Sequence, residues 1–361
     1  MAERDCLGHL YPSIDSSLCT DCGKCRRFCP SLNRIPLAVP TAAFAAWAEN
    51  EDEYRSSSSG GAAAVMSLHV IRKGGVVYGC AMLPEVRVRH IRIDKEKNLS
   101  LLKGSKYVQS DIREVLHKIR ADVASGRPVL FVGTPCQVAA VTKLFSVRPD
   151  NLYLADLVCH GVPSVKMLKR HVDKIISGRD CHSVVFRNGN DFGLKILADD
   201  GERVSAIYES YLSTSRYKDF YINSFMDGYT YRDSCYRCTY ACGERVGDIT
   251  IGVFWGLGKY LPSDEIPPHE NGCSLIMPVT AKGRELVEEI KPLMNIYERT
   301  VCEAVEGNDQ LRSAMRKGPR KVLYRALARR FEGEWPYYLA VADLRVRGEL
   351  KKIFRKRRSS K

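Results

Sequence analysis

Pro128-Val-Leu-Phe-Val132-Gly-Thr134-Pro135-Cys136-Gln137 is an apolar run that ends in a turn of small residues, and Val138 to Leu144 continues it with helical character. The same grammar returns at Leu152-Tyr-Leu-Ala-Asp156-Leu-Val-Cys159-His160-Gly161-Val-Pro163-Ser164, ahead of a helical stretch from Val165 to Ile176. Strand, turn and helix in that order predict an open α/β sheet, whose ligands collect at the carboxyl ends of the strands. Cys136 and Cys159 would each sit at such an end. A single buried cysteine is more often packing than ligand. Two at equivalent strand ends favour a shared role.

Working outward toward the N-terminus, Ala42 to Glu49 reads as a short strand. Arg55-Ser-Ser-Ser-Ser-Gly60-Gly61 then opens a helix over Ala62 to Ile71, closed by Lys73-Gly74-Gly75. Free N–H groups at such a helix start make a ready anion site, with a plain N-cap as the alternative. Val76 to Ala81 and Val86 to Ile93 read as strands, and Lys103 to Asp111 as a polar loop before a helix from Ile112 to Ala124. Toward the C-terminus, Ser183 to Arg203 reads as paired strands turning at Asn188-Gly189. Tyr208 to Tyr231 carries six tyrosines and two phenylalanines, which suit helix packing or a flat ring ligand. A loop over Gly256 to Asn271, a strand from Cys273 to Val279 and a helix from Lys282 to Met294 complete the body.

Cys19-Thr-Asp-Cys22-Gly-Lys-Cys25-Arg-Arg-Phe-Cys29-Pro30 has the C-x2-C-x2-C-x3-C-P spacing of a ferredoxin 4Fe-4S site. Zinc knuckles use separated pairs instead. A second group, Cys235-Tyr-Arg-Cys238-Thr-Tyr-Ala-Cys242, could join Cys136 or Cys159 to hold a second 4Fe-4S cluster, with zinc or free thiols as alternatives.

The chain has 361 residues, room for two or three domains. No basic-then-apolar leader opens it and no run is long and apolar enough for a membrane span, so the expectation is a soluble, cytoplasmic protein with reduced cysteines. The net charge is +14, yet Arg316 to Lys361 holds sixteen Lys/Arg against four Asp/Glu, and the body is nearly neutral. Arg316 to Arg330 and Leu344 to Arg358 alternate apolar and basic residues. Such a tail could lie on an anionic membrane surface at the inner face, or fold onto the body with a solvated end. Nucleic acid is a weaker reading, because no base-stacking motif accompanies the charge.

Leu10-Tyr-Pro-Ser-Ile-Asp15, Ser-Ser-Gly60-Gly61, Lys103-Gly-Ser-Lys-Tyr-Val-Gln-Ser-Asp111, Gly133-Thr-Pro-Cys-Gln137, Val158-Cys-His-Gly-Val-Pro-Ser164 and Asp248-Ile-Thr-Ile-Gly-Val-Phe-Trp-Gly256, in this order, resemble the coenzyme F420 hydrogenase/dehydrogenase beta-subunit family over about Leu10 to Leu293. The resemblance implies an iron–sulfur flavoprotein carrying FAD. It places Ser59, Gly60, Gly61, Lys106, Tyr107, Gln109, Ser110, Thr134 and Gln137 along the flavin. Lys106 would meet a phosphate or the flavin near N1, or stand as a surface lysine; His160 would be an acid/base beside substrate, or a structural hydrogen-bonder. Val253 stands where similar proteins carry Asp, which removes a carboxylate near the site. Relatives often have an earlier cysteine run. Here only Cys6 precedes, so one ferredoxin cluster is expected, its fourth sulfur from Cys29 or Cys6.

These readings divide the chain into a ferredoxin-type module (1–37), two halves of a mixed α/β flavin domain (42–150 and 151–295) and a helical basic tail (296–361). The expected function is an oxidoreductase passing electrons between 4Fe-4S clusters and FAD, served by a redox partner protein or ferredoxin and acting on a small-molecule substrate. A non-catalytic electron-transfer subunit and a zinc-stabilised binding protein are the alternatives.

Overall fold

A computed structural model describes residues 2–3, 5–189, 191–199, 201–215 and 217–344. Its strands, after a short N-terminal pair at 2–3 and 10–11, are β1 (Ala43–Ala48), β2 (Val76–Leu83), β3 (Arg87–Ile93), β4 (Val129–Gly133), β5 (Leu152–Leu157), β6 (Asp180–Asn188), β7 (Asp191–Asp199), β8 (Val204–Tyr211), β9 (Ile249–Val253), β10 (Ser274–Pro278) and β11 (Met294–Arg299). Eight of them form one sheet in the order β11-β1-β10-β9-β5-β4-β2-β3. Its centre, β2-β4-β5-β9, is parallel, and the outer pairings are antiparallel. The α/β expectation therefore holds, and strands from both expected halves interleave in the one sheet.

Helices cover the central strands, so these read as nearly unbroken apolar runs. Val129, Leu130 and Phe131 are fully buried, as are all six residues of β1. Truncating a ring such as Phe131 to alanine would cost about 3–5 kcal/mol. The helices Ala62–Arg72, Arg113–Ala124, Pro135–Thr142 and Ala281–Ile290 supply much of the facing surface.

A second, antiparallel sheet, β6-β7-β8, packs on the helix Val165–Ile176 and the helix Phe220–Met226. Two sequence readings are corrected here. The aromatic stretch from Tyr208 begins inside strand β8, where β-branched and aromatic residues also fit a pleated surface. The helix expected to reach Met294 gives out at Ile290, and Met294–Arg299 adds an edge strand beside β1.

The basic segment after Arg316 folds back on the body as far as Leu344, while the Leu350–Arg358 part of the proposed membrane helix lies outside the described residues. Tyr324 and Tyr337, on the helices Pro319–Ala328 and Trp335–Ala340, are fully buried. Arg325 is also buried; it donates to the Tyr231 carbonyl (3.0 Å) and pairs with Asp5 (3.4 Å) and Asp233 (3.2 Å). The tail's first charges thus serve internal docking.

His171 clamps the same segment, with Nε2 2.8 Å from Asp219 and Nδ1 2.7 Å from Glu334. Burial opposes the charged ring, but hydrogen bonds to the two carboxylates outweigh it and raise the pKa from 6.5 to about 9. The folded state therefore holds the extra proton. This stabilisation is complete below pH ~6.5 and is lost as pH rises through about 9. Urea midpoints of wild type and His171→Gln should differ most near pH 6 and converge near pH 10; a constant difference would place the clamp's worth in packing.

Candidate functional site

The turn after β4 carries Thr134 as N-cap of the helix Pro135–Thr142, in a capping box with Gln137: the Thr134 backbone N–H donates to Gln137 Oε1 at 3.1 Å. The Gln137 side chain also donates to the Ser110 carbonyl (3.0 Å). This fixes Cys136 in the helix's first turn, at the surface, with its Sγ 3.2 Å from Thr134 Oγ1. Two residues beyond β5 comes Cys159, and a single-turn helix over Asp233–Arg237 brings Cys235 and then Cys238.

These four thiols lie within electrostatic reach of one another. Burial first, then Cys136, Cys235 and Cys238, drive the Cys159 thiol far above its ordinary pKa. Burial with Cys136 and Cys238 pushes Cys235 up to about 12, and Cys238 is raised by burial and by Cys136. Without a metal the three buried thiols therefore stay protonated and neutral; as thiolates they would need a positive charge beside them, which metal ligation supplies. Among the described residues no three His, Cys, Asp or Glu side chains are close enough to hold one metal ion. A tetrahedral zinc with 2.3 Å bonds would need sulfurs about 3.8 Å apart. Four cysteines are the usual donor set of a 4Fe-4S centre.

Cys242, grouped with Cys235 and Cys238 by sequence spacing, stands apart. Its Sγ donates to the Glu244 carbonyl (3.3 Å) and the Thr239 carbonyl (3.6 Å), and after burial the charges acting on it are Arg245, Glu244 and Asp156.

Asp156, in β5, forms a fully buried pair with Arg245. The carboxylate also accepts from the Gly247 N–H (2.8 Å) and the Thr250 hydroxyl (2.9 Å). The guanidinium donates to the Tyr240 carbonyl (3.1 Å), the Cys242 carbonyl (3.2 Å) and the Leu157 carbonyl (3.3 Å). Arg245 thus joins the end of β5, through Asp156 and the Leu157 carbonyl, to the carbonyls of the 238–245 segment that follows Cys238.

In the N-terminal run Cys19, Cys22 and Cys25 are exposed and Cys29 is half-buried. Its turns use left-handed backbone at Asp21 (φ 49°) and Gly23 (φ 68°), just before the short helix Lys24–Arg27. The following linker is docked: Ala38 and Arg245 exchange two backbone hydrogen bonds (2.9 and 2.8 Å), and Ile35, Leu37 and Tyr240 pack on the core around β4. Cys136 and Cys238, and more weakly Cys29, lie within electrostatic reach of Tyr240. Cys6 belongs elsewhere; its Sγ donates to the Arg325 carbonyl (3.7 Å) at the docked tail.

The Ser/Gly turn lies at the end of β1. Gly61 is the helix N-cap, at φ 83° and with no capping side chain, so Ser59 does not cap; its buried Oγ has no hydrogen-bond partner. A Cβ on Gly60 would stand 2.0 Å from the Ala46 carbonyl and 2.6 Å from the Ser274 nitrogen. Gly60→Ala should therefore cost about 3 kcal/mol by forcing backbone apart, read as a lowered urea midpoint. Ser58 Oγ accepts from the Ser105 N–H (2.8 Å), joining this turn to the Lys103–Asp111 loop.

Within that loop Lys106 is not a surface lysine. It donates to the carbonyls of Leu102 (2.9 Å) and Lys103 (2.6 Å), and burial lowers its pKa to about 8. Tyr107 stacks on Phe225 with centroids 4.7 Å apart. Gln109 donates its N–H to the Pro163 carbonyl (3.0 Å). Ser110 Oγ meets His90 Nδ1 (2.7 Å), whose Nε2 lies 2.9 Å from the Val132 carbonyl; burial holds His90 neutral, its pKa at about 4. His160 is likewise lowered to about 4 by burial. It lines a cleft of about 360 Å³ with Phe192, Met226, Trp255 and Tyr260. Val253 ends β9 paired with Ser274, close in sequence to Trp255 at the cleft.

The site is thus a mixed α/β sheet with two thiols just beyond the carboxyl ends of β4 and β5, two more from the 233–238 segment, and an aromatic-lined cleft next to them. No curated protein matches the chain. Among solved structures it is similar to a chain of the F420-reducing NiFe hydrogenase complex from Methanosarcina barkeri, studied by xenon derivatization, with 17% identity over 76% of this chain and 91% of that one and a TM-score of 0.47. Residues 126–301 match the family model of the coenzyme F420 hydrogenase/dehydrogenase beta subunit, C terminus.

Sequence reasoning did not find Asp156, Tyr240 or Arg245. Only the buried contacts of the folded chain single them out.

Proposed function

We propose that the chain is an iron–sulfur flavoprotein oxidoreductase. The observation that carries this reading is the meeting of Cys136, Cys159, Cys235 and Cys238 from three segments beside the cleft. These four would hold an inner 4Fe-4S cluster, and Cys19, Cys22, Cys25 and Cys29 an outer one at the surface. Cys242 is left out of both. A flavin with two clusters converts between one-electron and two-electron transfers.

The residues around the turns of β1 and β4 have the chemistry to bind FAD. Ser59 offers an unpaired hydroxyl, Tyr107 a ring in an aromatic stack, and Lys106 an ammonium with a depressed pKa. Gln109, Ser110, Thr134 and Gln137 keep the loops in place through the hydrogen bonds above. His160, neutral at physiological pH, can take up or hand on a proton at the cleft. A small-molecule substrate would bind there.

Exposed Ile14, Leu18, Phe28 and Leu32 around the outer cysteines favour docking of a redox partner protein such as a ferredoxin. They also keep open the second reading, a non-catalytic electron-transfer subunit. Among the described residues no helix is long and apolar enough to cross a membrane. A cytoplasmic setting, where free thiols persist, suits the fourteen unpaired cysteines.

Protein purified without oxygen should release about one FAD per chain on acid treatment. Photoreduced protein should pass electrons to an artificial acceptor. Protein that releases no flavin would exclude the oxidoreductase reading.

A further inference from the structure

The segment after Gly318 gives one side to the core and the other to solvent. Tyr324 and Tyr337 are buried, while Val322, Leu323, Phe331, Trp335 and Leu339 are each between 41% and 55% exposed. The helices Pro319–Ala328 and Trp335–Ala340 pack on each other. At their junction the Phe331 and Trp335 rings have centroids 4.7 Å apart, and Leu339 stands one turn beyond Trp335 on the same helix. Large apolar side chains exposed singly need no explanation, but a group of them marks an interaction surface.

The charge beside this face has one sign. Between Arg316 and Leu344 the acids are Glu332, Glu334 and Asp343, and each already has a cation: Arg170 (3.1 Å) for the first, His171 (2.7 Å) and Lys174 (3.1 Å) for the second, Arg320 for the third. Lys317 pairs with Asp233 (2.6 Å), while Arg316, Arg329 and Arg330 are exposed. Residues 345–361 add nine Lys/Arg and one Glu to the sequence that follows. This charge disfavours two occupants, since the chain's own last residues and a second copy of the face would each set like charge against like.

We infer that the helices Pro319–Ala328 and Trp335–Ala340 dock the protein on an anionic lipid surface, with Phe331, Trp335 and Leu339 entering the headgroup boundary and Arg316, Arg329 and Arg330 meeting the lipid phosphates. An indole suits that boundary because its ring is amphipathic, and apolar and cationic side chains together are what an interfacial helix needs. The inference is independent of the redox reading.

The probe is sucrose-loaded phosphatidylcholine vesicles, with and without about one-third phosphatidylglycerol, sedimented with the whole protein kept without oxygen. Wild type should sediment with the anionic vesicles, not with the neutral ones, and be released by high salt. Phe331→Ser/Trp335→Ser changes two half-exposed positions, keeps every charge and should weaken binding about tenfold. Arg329→Gln/Arg330→Gln should weaken it about fivefold for each charge removed, and keeps the test open should the first variant fail to fold. Equal binding to both kinds of vesicle, binding to neither, or unchanged binding in either variant would each overturn the inference. So would a dimer in vesicle-free solution that Phe331→Ser/Trp335→Ser dissociates, or polyuridylate binding that it weakens, because the face would then belong to a second copy or to nucleic acid.

Discussion

Cys159→Ser should leave the protein with about half its iron, a loss of roughly four atoms per chain, while Cys242→Ser keeps its full complement. The contrast follows from the thiols' surroundings. Cys159 lies beside Cys136, Cys235 and Cys238, and its thiolate form is stable there only with positive charge at hand. Cys242 spends its Sγ on two backbone carbonyls. Iron and sulfide determined on both variants check this. Equal loss in the two would return Cys242 to the ligand set that the sequence spacing suggests.

Arg245→Met should destabilise the protein by about 3–5 kcal/mol because it leaves the Asp156 carboxylate buried without its cation. It also frees the Tyr240 and Cys242 carbonyls, so the segment that delivers Cys238 loses its anchor. The expected result is a lowered urea midpoint together with loss of inner-cluster iron, the outer cluster persisting on its own turns. A variant with a wild-type midpoint would show that water or a neighbouring group replaces the guanidinium at little cost.

Much of the sheet was legible because β4 and β5 are apolar on both faces and each runs into a small-residue turn. Cys136 and Cys159 were legible for the same reason, since equivalent turns of parallel strands bring their residues to one edge. The edge strand β11 was not: Met294-Asn-Ile-Tyr-Glu-Arg299 alternates as a half-exposed strand must, but its partner β1 comes from the other end of the chain. For Cys242, spacing along a loop cannot reveal that its sulfur turns toward two carbonyls. Lys106 was divided between surface and site, and its sequence could not show that a half-buried side chain turns its Nζ onto the Leu102 and Lys103 carbonyls.

The central claim is that the chain holds two iron–sulfur clusters, an exposed one on Cys19, Cys22, Cys25 and Cys29 and an inner one on the four gathered thiols. The most direct measurement is iron and acid-labile sulfide per chain in wild-type protein purified without oxygen. Two 4Fe-4S clusters predict about eight of each; a colourless protein containing zinc and no acid-labile sulfide would contradict the account.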